Sequence, residues 1–192
     1  TVIANGQKYI LHLVPSGILW PGKLCVIGNG VVLDPIGLVE EMETLRKQGI
    51  VINSENLLLS DRAHLVLPFH KEMDAASESS LGKKAIGTTK RGIGPTYADK
   101  ARRIVADMRC PKIFEEVLRN RIQRANIELQ NMGAAPMDED KMIAEVEAAA
   151  KVLRPHIANT IPVMNKAIKE GKSILFEGAQ GAFLDVDFGT YP

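Results

Sequence analysis

Short apolar runs bounded by turn residues alternate along this chain with longer stretches of helical periodicity. Apolar stretches at 2–4 and 9–13 flank Asn5-Gly6, a pair that tolerates positive φ at both positions, and together they predict a β-hairpin. Residues 24–27 predict a short buried strand running into Gly28-Asn29-Gly30, after which 31–33 resume the apolar run. Asp34-Pro35 supplies a capping side chain followed by a first-turn proline. Ile36, Val39, Met42 and Leu45 then recur at helical spacing, and Gly49 closes the helix. Residues 57–59 and 65–67 are further short apolar segments, and 70–81 predict a helix. Residues 82–97, rich in glycine, lysine and threonine, read as one long functional loop. Helical patterns resume near Tyr97, over 113–130, and from 138 through 169, the last two separated by Met132-Gly133 and Pro136. Residues 173–176 predict a buried strand, followed by the turn Glu177-Gly178-Ala179-Gln180-Gly181 and the segment 183–187.

Strands mixed with helices in this order predict an α/β fold: a mostly parallel sheet with helical excursions. The 192 residues, 45% of them hydrophobic, suffice for one domain with a core, so 1–192 is expected to form a single domain. A formal charge of +1 gives no global field toward nucleic acid or a membrane. Cys25 and Cys110 are isolated, which suits a reducing cytoplasm rather than a disulfide framework, and neither a bilayer-length apolar run nor a signal segment is present. The chain opens on Thr1-Val2-Ile3 without an initiator methionine and stops at Tyr191-Pro192, so it is expected to be cut from something longer.

Charge is nonetheless concentrated locally. Ile86-Gly87-Thr88-Thr89-Lys90-Arg91-Gly92-Ile93-Gly94-Pro95-Thr96-Tyr97 combines glycines that let backbone N–H groups approach an anion with hydroxyls that can donate to phosphate oxygens. Lys83, Lys84, Lys90, Arg91, Lys100, Arg102 and Arg103 surround it, opposed only by Asp99. Such a cluster suits a phosphorylated small molecule; a solvated basic loop is the competing reading. Aromatic residues do not interleave with the basic ones, which argues against nucleic acid. In the second stretch, Phe176 to Gly181, Gln180 offers a donor and an acceptor where a strand ends in small residues; the alternative is an amide pinning its own turn. Asp185 and Asp187 fall at strand spacing on one face and read as capping or paired residues. Gly28-Asn29-Gly30 lacks the third glycine of a dinucleotide fingerprint and reads as a tight turn. His12 in a strand, His64, His70 and His156 show no metal-ligand spacing and read as packing or surface residues.

Ile86-Gly87-Thr88-Thr89 followed by Arg91-Gly92-Ile93-Gly94-Pro95 resembles the signature loop of adenylosuccinate synthetases. Phe176-Glu177-Gly178-Ala179-Gln180-Gly181, Leu11-His12-Leu13-Val14-Pro15-Ser16-Gly17-Ile18-Leu19, Ile27-Gly28-Asn29-Gly30-Val31-Val32 and Gly189-Thr190-Tyr191-Pro192 are similar to further segments of that family, in family order. The resemblance implies a P-loop-NTPase-like synthetase fold, present in part, and a purine-biosynthesis ligase that joins IMP and L-aspartate. In such enzymes GTP phosphorylates the 6-oxygen of IMP, the aspartate amine displaces it, and Mg²⁺ neutralises phosphate charge.

Carried over by position, the resemblance implies that Thr89 contacts the IMP 5′-phosphate. It implies that Gln180 lies near the purine 6-position as a catalytic and IMP-binding residue, and that Thr1 touches GTP through its backbone. Arg103 would reach the IMP of a neighbouring subunit in a homodimer. The Mg²⁺ ligands fall outside this chain in the family pattern; the glycine-rich phosphate loop and a catalytic histidine fall before Thr1, while the aspartate-binding and guanine-reading segments fall after Pro192. About three family residues are lost where Ile104 runs into Val105, which bears on the register after Arg103. The isolated 192-residue chain is therefore expected to be inactive as a ligase. The alternatives are a non-catalytic nucleotide-phosphate-binding module and a dimerisation piece using the helices of 113–169.

Overall fold

The computed structural model describes residues 1–4, 6–81, 87–104 and 108–178, together with 181, 183, 185, 189 and 190. It divides into two compact units, Thr1–Thr160 and Ile161–Pro192.

In the first unit, β1 (Val2–Ala4) and β2 (Gln7–Tyr9) pair antiparallel, with Ala4 opposite Gln7 and Gly6 at φ +75° in the connection. Asn5, the other half of the predicted turn, lies outside the described residues. The strand expected over 9–13 does not form. Residues 12–14 instead turn their N–H groups onto the Glu41 carboxylate at 3.0–3.2 Å, so His12 is an exposed loop residue. Three amides that would otherwise need a sheet neighbour are satisfied by one acidic side chain.

The sheet is parallel, as the alternation of strands and helices predicts. β3 (Cys25–Ile27), β5 (Leu57–Ser60) and β7 (Ile157–Ala158) lie in the order β3-β5-β7, and β4 (Val32–Leu33) pairs parallel with β6 (His64–Leu65). Register places Ile27 opposite Leu59 and Leu59 opposite Ile157.

Helix α1 (Pro35–Lys47) begins where expected. Asp34 Oδ1 accepts from the Gly37 N–H at 3.1 Å, and Gly49 ends the helix at φ +87°. Its inner face, Leu38, Met42 and Leu45, is almost fully buried against the sheet, each side chain contributing about 2 kcal/mol. A second core lies among α2 (Pro68–Leu81), α4 (Pro111–Asn131) and α5 (Glu139–Leu153), built on Phe69, Phe114, Leu118, Ile122, Leu129, Val146 and Ala150. α5 belongs to both cores, because Leu153 reaches the sheet side.

Two sequence expectations change here. The helix predicted over 138–169 is interrupted: a 3-10 turn at Arg154–His156, started by Pro155, feeds β7 before α6 (Thr160–Lys169) begins. Proline cannot continue the hydrogen-bond ladder, and the two residues after the turn find a parallel partner in β5. The predicted loop 82–97 also ends early, because α3 (Ile93–Ala101) starts before Tyr97. Pro95 falls in its first turn, where a missing N–H costs nothing.

In the second unit, α6 runs into residues 172–178, which are not in a strand. Leu175 and Phe176 are 84% and 80% exposed, so the buried strand expected over 173–176 is corrected. Apolar character alone marks a strand that can be buried, and among the described residues no partner strand supplies the ladder. Further on, Thr190 N and Oγ1 both donate to the Phe183 carbonyl at 3.0 and 3.1 Å. Asp185 lies in irregular backbone, and Asp187 lies outside the described residues.

Candidate functional site

The basic loop and α3 meet at the carboxyl end of the sheet. Beyond β3, the turn Gly28-Asn29-Gly30 is clasped from α3. Lys100 Nζ donates to the Asn29 carbonyl at 2.6 Å and to that of Val31 at 3.2 Å, and the Tyr97 hydroxyl donates to Gly30 at 3.1 Å. Burial lowers the Lys100 ammonium from its usual value, and the two carbonyls hold the charge in place. The turn thus has a partner that its short glycine motif does not announce.

The loop itself is seated on α2. Thr88 Oγ1 donates to Asp74 Oδ1 and the Gly92 N–H to Asp74 Oδ2, both at 2.9 Å, while the Gly87 N–H donates to Glu78 Oε2 at 2.9 Å. Asp74 and Glu78 are both 8% exposed. Gly92 adopts φ +75°, and a Cβ there would come within 2.7 Å of the His70 carbonyl carbon, so the loop lies flush on the first turn of α2. Thr89, Lys90 and Arg91 remain exposed at the tip. Lys90 holds φ +54°, a left-handed conformation that costs a side-chain-bearing residue on the order of 1 kcal/mol. Next to this tip the N-terminus of α3 carries no side-chain cap. Positive helix-end potential, basic side chains and an outward hydroxyl converge there, an arrangement suited to a phosphate.

Behind the loop lies a buried ionic cluster. The Leu67 N–H donates to His70 Nδ1 at 2.9 Å, which leaves the His70 proton on Nε2, 3.0 Å from Asp99 Oδ2. Arg121 of α4 donates to the same carboxylate through Nε at 2.6 Å and Nη2 at 3.2 Å, and its guanidinium stacks over Phe69 at 4.8 Å. Its Nη1 lies 3.5 Å from Glu128 Oε1 without hydrogen-bond alignment. Burial alone would raise the Asp99 carboxyl, but hydrogen bonds from His70 and Arg121 overcome it and hold the group at about 2. Burial outweighs Asp99 at His70 and lowers the imidazole, which is neutral. At His64 burial, with His70 next, lowers the ring to about 4.

A family model described as adenylosuccinate synthetase matches residues 1–192. The chain belongs to the adenylosuccinate synthetase family. Curated synthetases from Thermoanaerobacter sp. (strain X514) and Syntrophobacter fumaroxidans are 48% and 47% identical to it; each comparison covers 100% of this chain and 46% of the relative. The chain therefore spans about half the length of the curated relatives it matches. Those comparisons run over 196 positions against a chain of 192, so the relatives carry residues that this chain lacks. A solved structure of fully ligated adenylosuccinate synthetase from Plasmodium falciparum is similar throughout, with a TM-score of 0.87 at 34% identity, covering 100% of this chain and 45% of that one.

The residues singled out by resemblance to the synthetases are distributed as follows. Thr89 is on the exposed tip. Arg103 is exposed just past α3, in a left-handed conformation at φ +60°. Its neighbour Arg102 lies 3.9 Å from Asp99. Thr1 is exposed ahead of β1. Gln180 lies outside the described residues, as do Lys83, Lys84, Ile86, Val105, Ala179, Tyr191 and Pro192.

Sequence reasoning missed Asp74, Glu78 and Glu41. Their only sequence signal is a run of acidic positions on helix faces, which ordinarily means solvent.

Proposed function

We propose that this chain is the IMP-side segment of an adenylosuccinate synthetase, a ligase that joins IMP and L-aspartate at the expense of GTP. The γ-phosphoryl group of GTP passes to the 6-oxygen of IMP, releasing GDP. The aspartate amine then attacks C6, the C–N bond forms, and phosphate departs with the oxygen while the amine loses a proton. The observation that carries this reading is the division between two adjacent threonines. The Thr88 hydroxyl is held by Asp74, while Thr89 stands exposed beside Lys90, Arg91 and the uncapped end of α3.

In this reading Thr89 receives the IMP 5′-phosphate, Gln180 acts at the purine 6-position, and the Thr1 backbone meets GTP. Arg103, exposed just past the C-terminal end of α3 while Thr89 precedes its N-terminal end, serves the IMP of a second subunit in this reading, hence a homodimer. The family match over 1–192 supports treating the chain as part of one synthetase domain. Among the described residues no group of three or more His, Cys, Asp and Glu could hold a metal ion, and no step is derived through Mg²⁺. Among the described residues no helix is long and apolar enough to cross a membrane, and Cys25 and Cys110 are free thiols, in keeping with a cytoplasmic enzyme.

The test has two arms. Titration of the 192-residue chain with IMP should give measurable binding that Thr89→Val weakens, while phosphate release from GTP in the presence of IMP and aspartate stays at background. Turnover by this chain alone would overturn the division of labour proposed here. Unchanged IMP binding in a full-length synthetase carrying Thr89→Val would remove the role of the loop.

A further inference from the structure

We infer that Asp74 is the positioning residue of the phosphate loop: it fixes where Thr89 points by holding Thr88 and Gly92 together. This rests on the reading of Thr89 as the phosphate contact.

Three side chains on successive turns of α2, namely His70, Asp74 and Glu78, grip the whole segment from Gly87 to Asp99. His70 holds Asp99 of α3, Asp74 holds Thr88 and Gly92, and Glu78 holds Gly87. Spacing of four residues places all three on one helix face. Among the described residues Asp74 holds two points of the loop. Its two oxygens receive a hydroxyl and an amide on either side of the exposed residues Thr89, Lys90 and Arg91, so those three span a bracket whose ends share one carboxylate.

The bracket also stores the left-handed turn at Lys90, which an unrestrained loop would relax. Gly92 cannot be replaced by a larger residue without separating the bracket from α2, because a Cβ there would lie 2.8 Å from the Lys71 nitrogen. The carboxylate is occupied by these donors and buried, so its charge is spent inside the loop rather than presented to an incoming phosphate. Asp74 thus acts on the tip through Thr88 and Gly92.

The test is a steady-state series in a full-length synthetase carrying this segment. Asp74→Ala and Thr88→Val are each expected to raise the KM for IMP by about tenfold, as loss of a charge-assisted hydrogen bond would. The KM values for GTP and aspartate should stay within about twofold of the parent. Thr88→Ser, which keeps the hydroxyl, should restore the parent KM for IMP. The double variant Asp74→Ala/Thr88→Val should show less than the product of the single effects, because both remove the same contact. Should Asp74→Ala not fold, the Thr88→Val and Thr88→Ser pair carries the test, since Thr88 is an exposed loop residue. An unchanged IMP KM in Thr88→Val, with Thr89→Val raising it, overturns the inference and leaves the proposed function standing. An unchanged IMP KM in Thr89→Val removes both.

Discussion

His70 Nε2 lies 3.0 Å from Asp99 Oδ2, and this contact joins α2 to α3 where both side chains are almost wholly out of solvent. Arg121 completes the cluster from α4, so three helices converge on one carboxylate. Removing the charge leaves a buried guanidinium without its partner. Asp99→Asn is expected to cost about 3 kcal/mol, read as a shift in the urea midpoint with an unchanged slope.

The same cluster sets the acid limit of the fold. His64 and His70 have folded values below the ordinary 6.5, so above that pH both states are neutral and no proton is linked to folding. Below 6.5 the unfolded chain takes up protons that the folded chain refuses. Stability therefore falls as the pH drops from 6.5 toward 4, where the folded His64 itself begins to take up its proton. Asp99, held at about 2 against an ordinary 3.8, contributes above 3.8 and loses that contribution as the pH drops toward 2. Urea melts between pH 7.5 and 4 should show a decline beginning near 6.5; a flat profile over that range would contradict the buried neutral imidazoles.

Glu41 makes a similar prediction at the other end of the first unit. Its carboxylate accepts from the N–H groups of His12, Leu13 and Val14, holding the segment that follows the hairpin against α1. Glu41→Ala should cost about 3 kcal/mol, and Glu41→Gln, which keeps one acceptor oxygen, roughly half of that. Hydrogen exchange offers a direct check: the amides of 12–14 should lose protection in both variants before those of α1 do.

Gly92→Ala combines a positive φ with a clash against the backbone of α2. A loss of about 3 kcal/mol is expected, far above the change of about 1 kcal/mol for an ordinary left-handed glycine. Gly133→Ala provides the comparison, because Gly133 has φ +78° with open space where its Cβ would sit. Equal thermal shifts in the two variants would contradict the close seating of Gly92 on α2.

The two arginines after α3 can be separated experimentally. In a full-length synthetase, Arg103→Leu is expected to weaken IMP binding by on the order of 2 kcal/mol without lowering the melting temperature. Arg102, whose Nη1 lies 3.9 Å from Asp99, is expected to affect stability slightly and IMP little. Isothermal titration with IMP decides the matter, and the reverse ranking would transfer the role to Arg102.

Features specified by adjacent residues were legible in the sequence. Asp34, Pro35 and Gly49 mark α1 at both ends because capping chemistry is local. β7 was hidden because Ile157 and Ala158 continue a helical pattern of apolar residues, and only the distant partner β5 makes them a strand. The start of α3 was obscured by Gly94 and Pro95, which read as loop residues unless the proline falls in a first turn. The basic tip was legible as a candidate phosphate site, but its support was not. Asp74, Glu78 and Glu41 look like solvated helix faces until the backbone amides they bind are brought to them by the fold. Residues 173–176 carry the composition of a buried strand, but a strand is completed only by its neighbours.

The pairing of β5 with β7 also bears on how the chain is made. Leu59 leaves the ribosome long before Ile157, its register partner. At ordinary synthesis rates the delay is on the order of ten seconds. Throughout that interval one edge of β5 lacks its partner while α2 and α4 emerge, and α5 follows only just ahead of β7. The sheet thus closes together with the second core, and a nascent chain halted before β7 would present an open, aggregation-prone edge to the cell's chaperones.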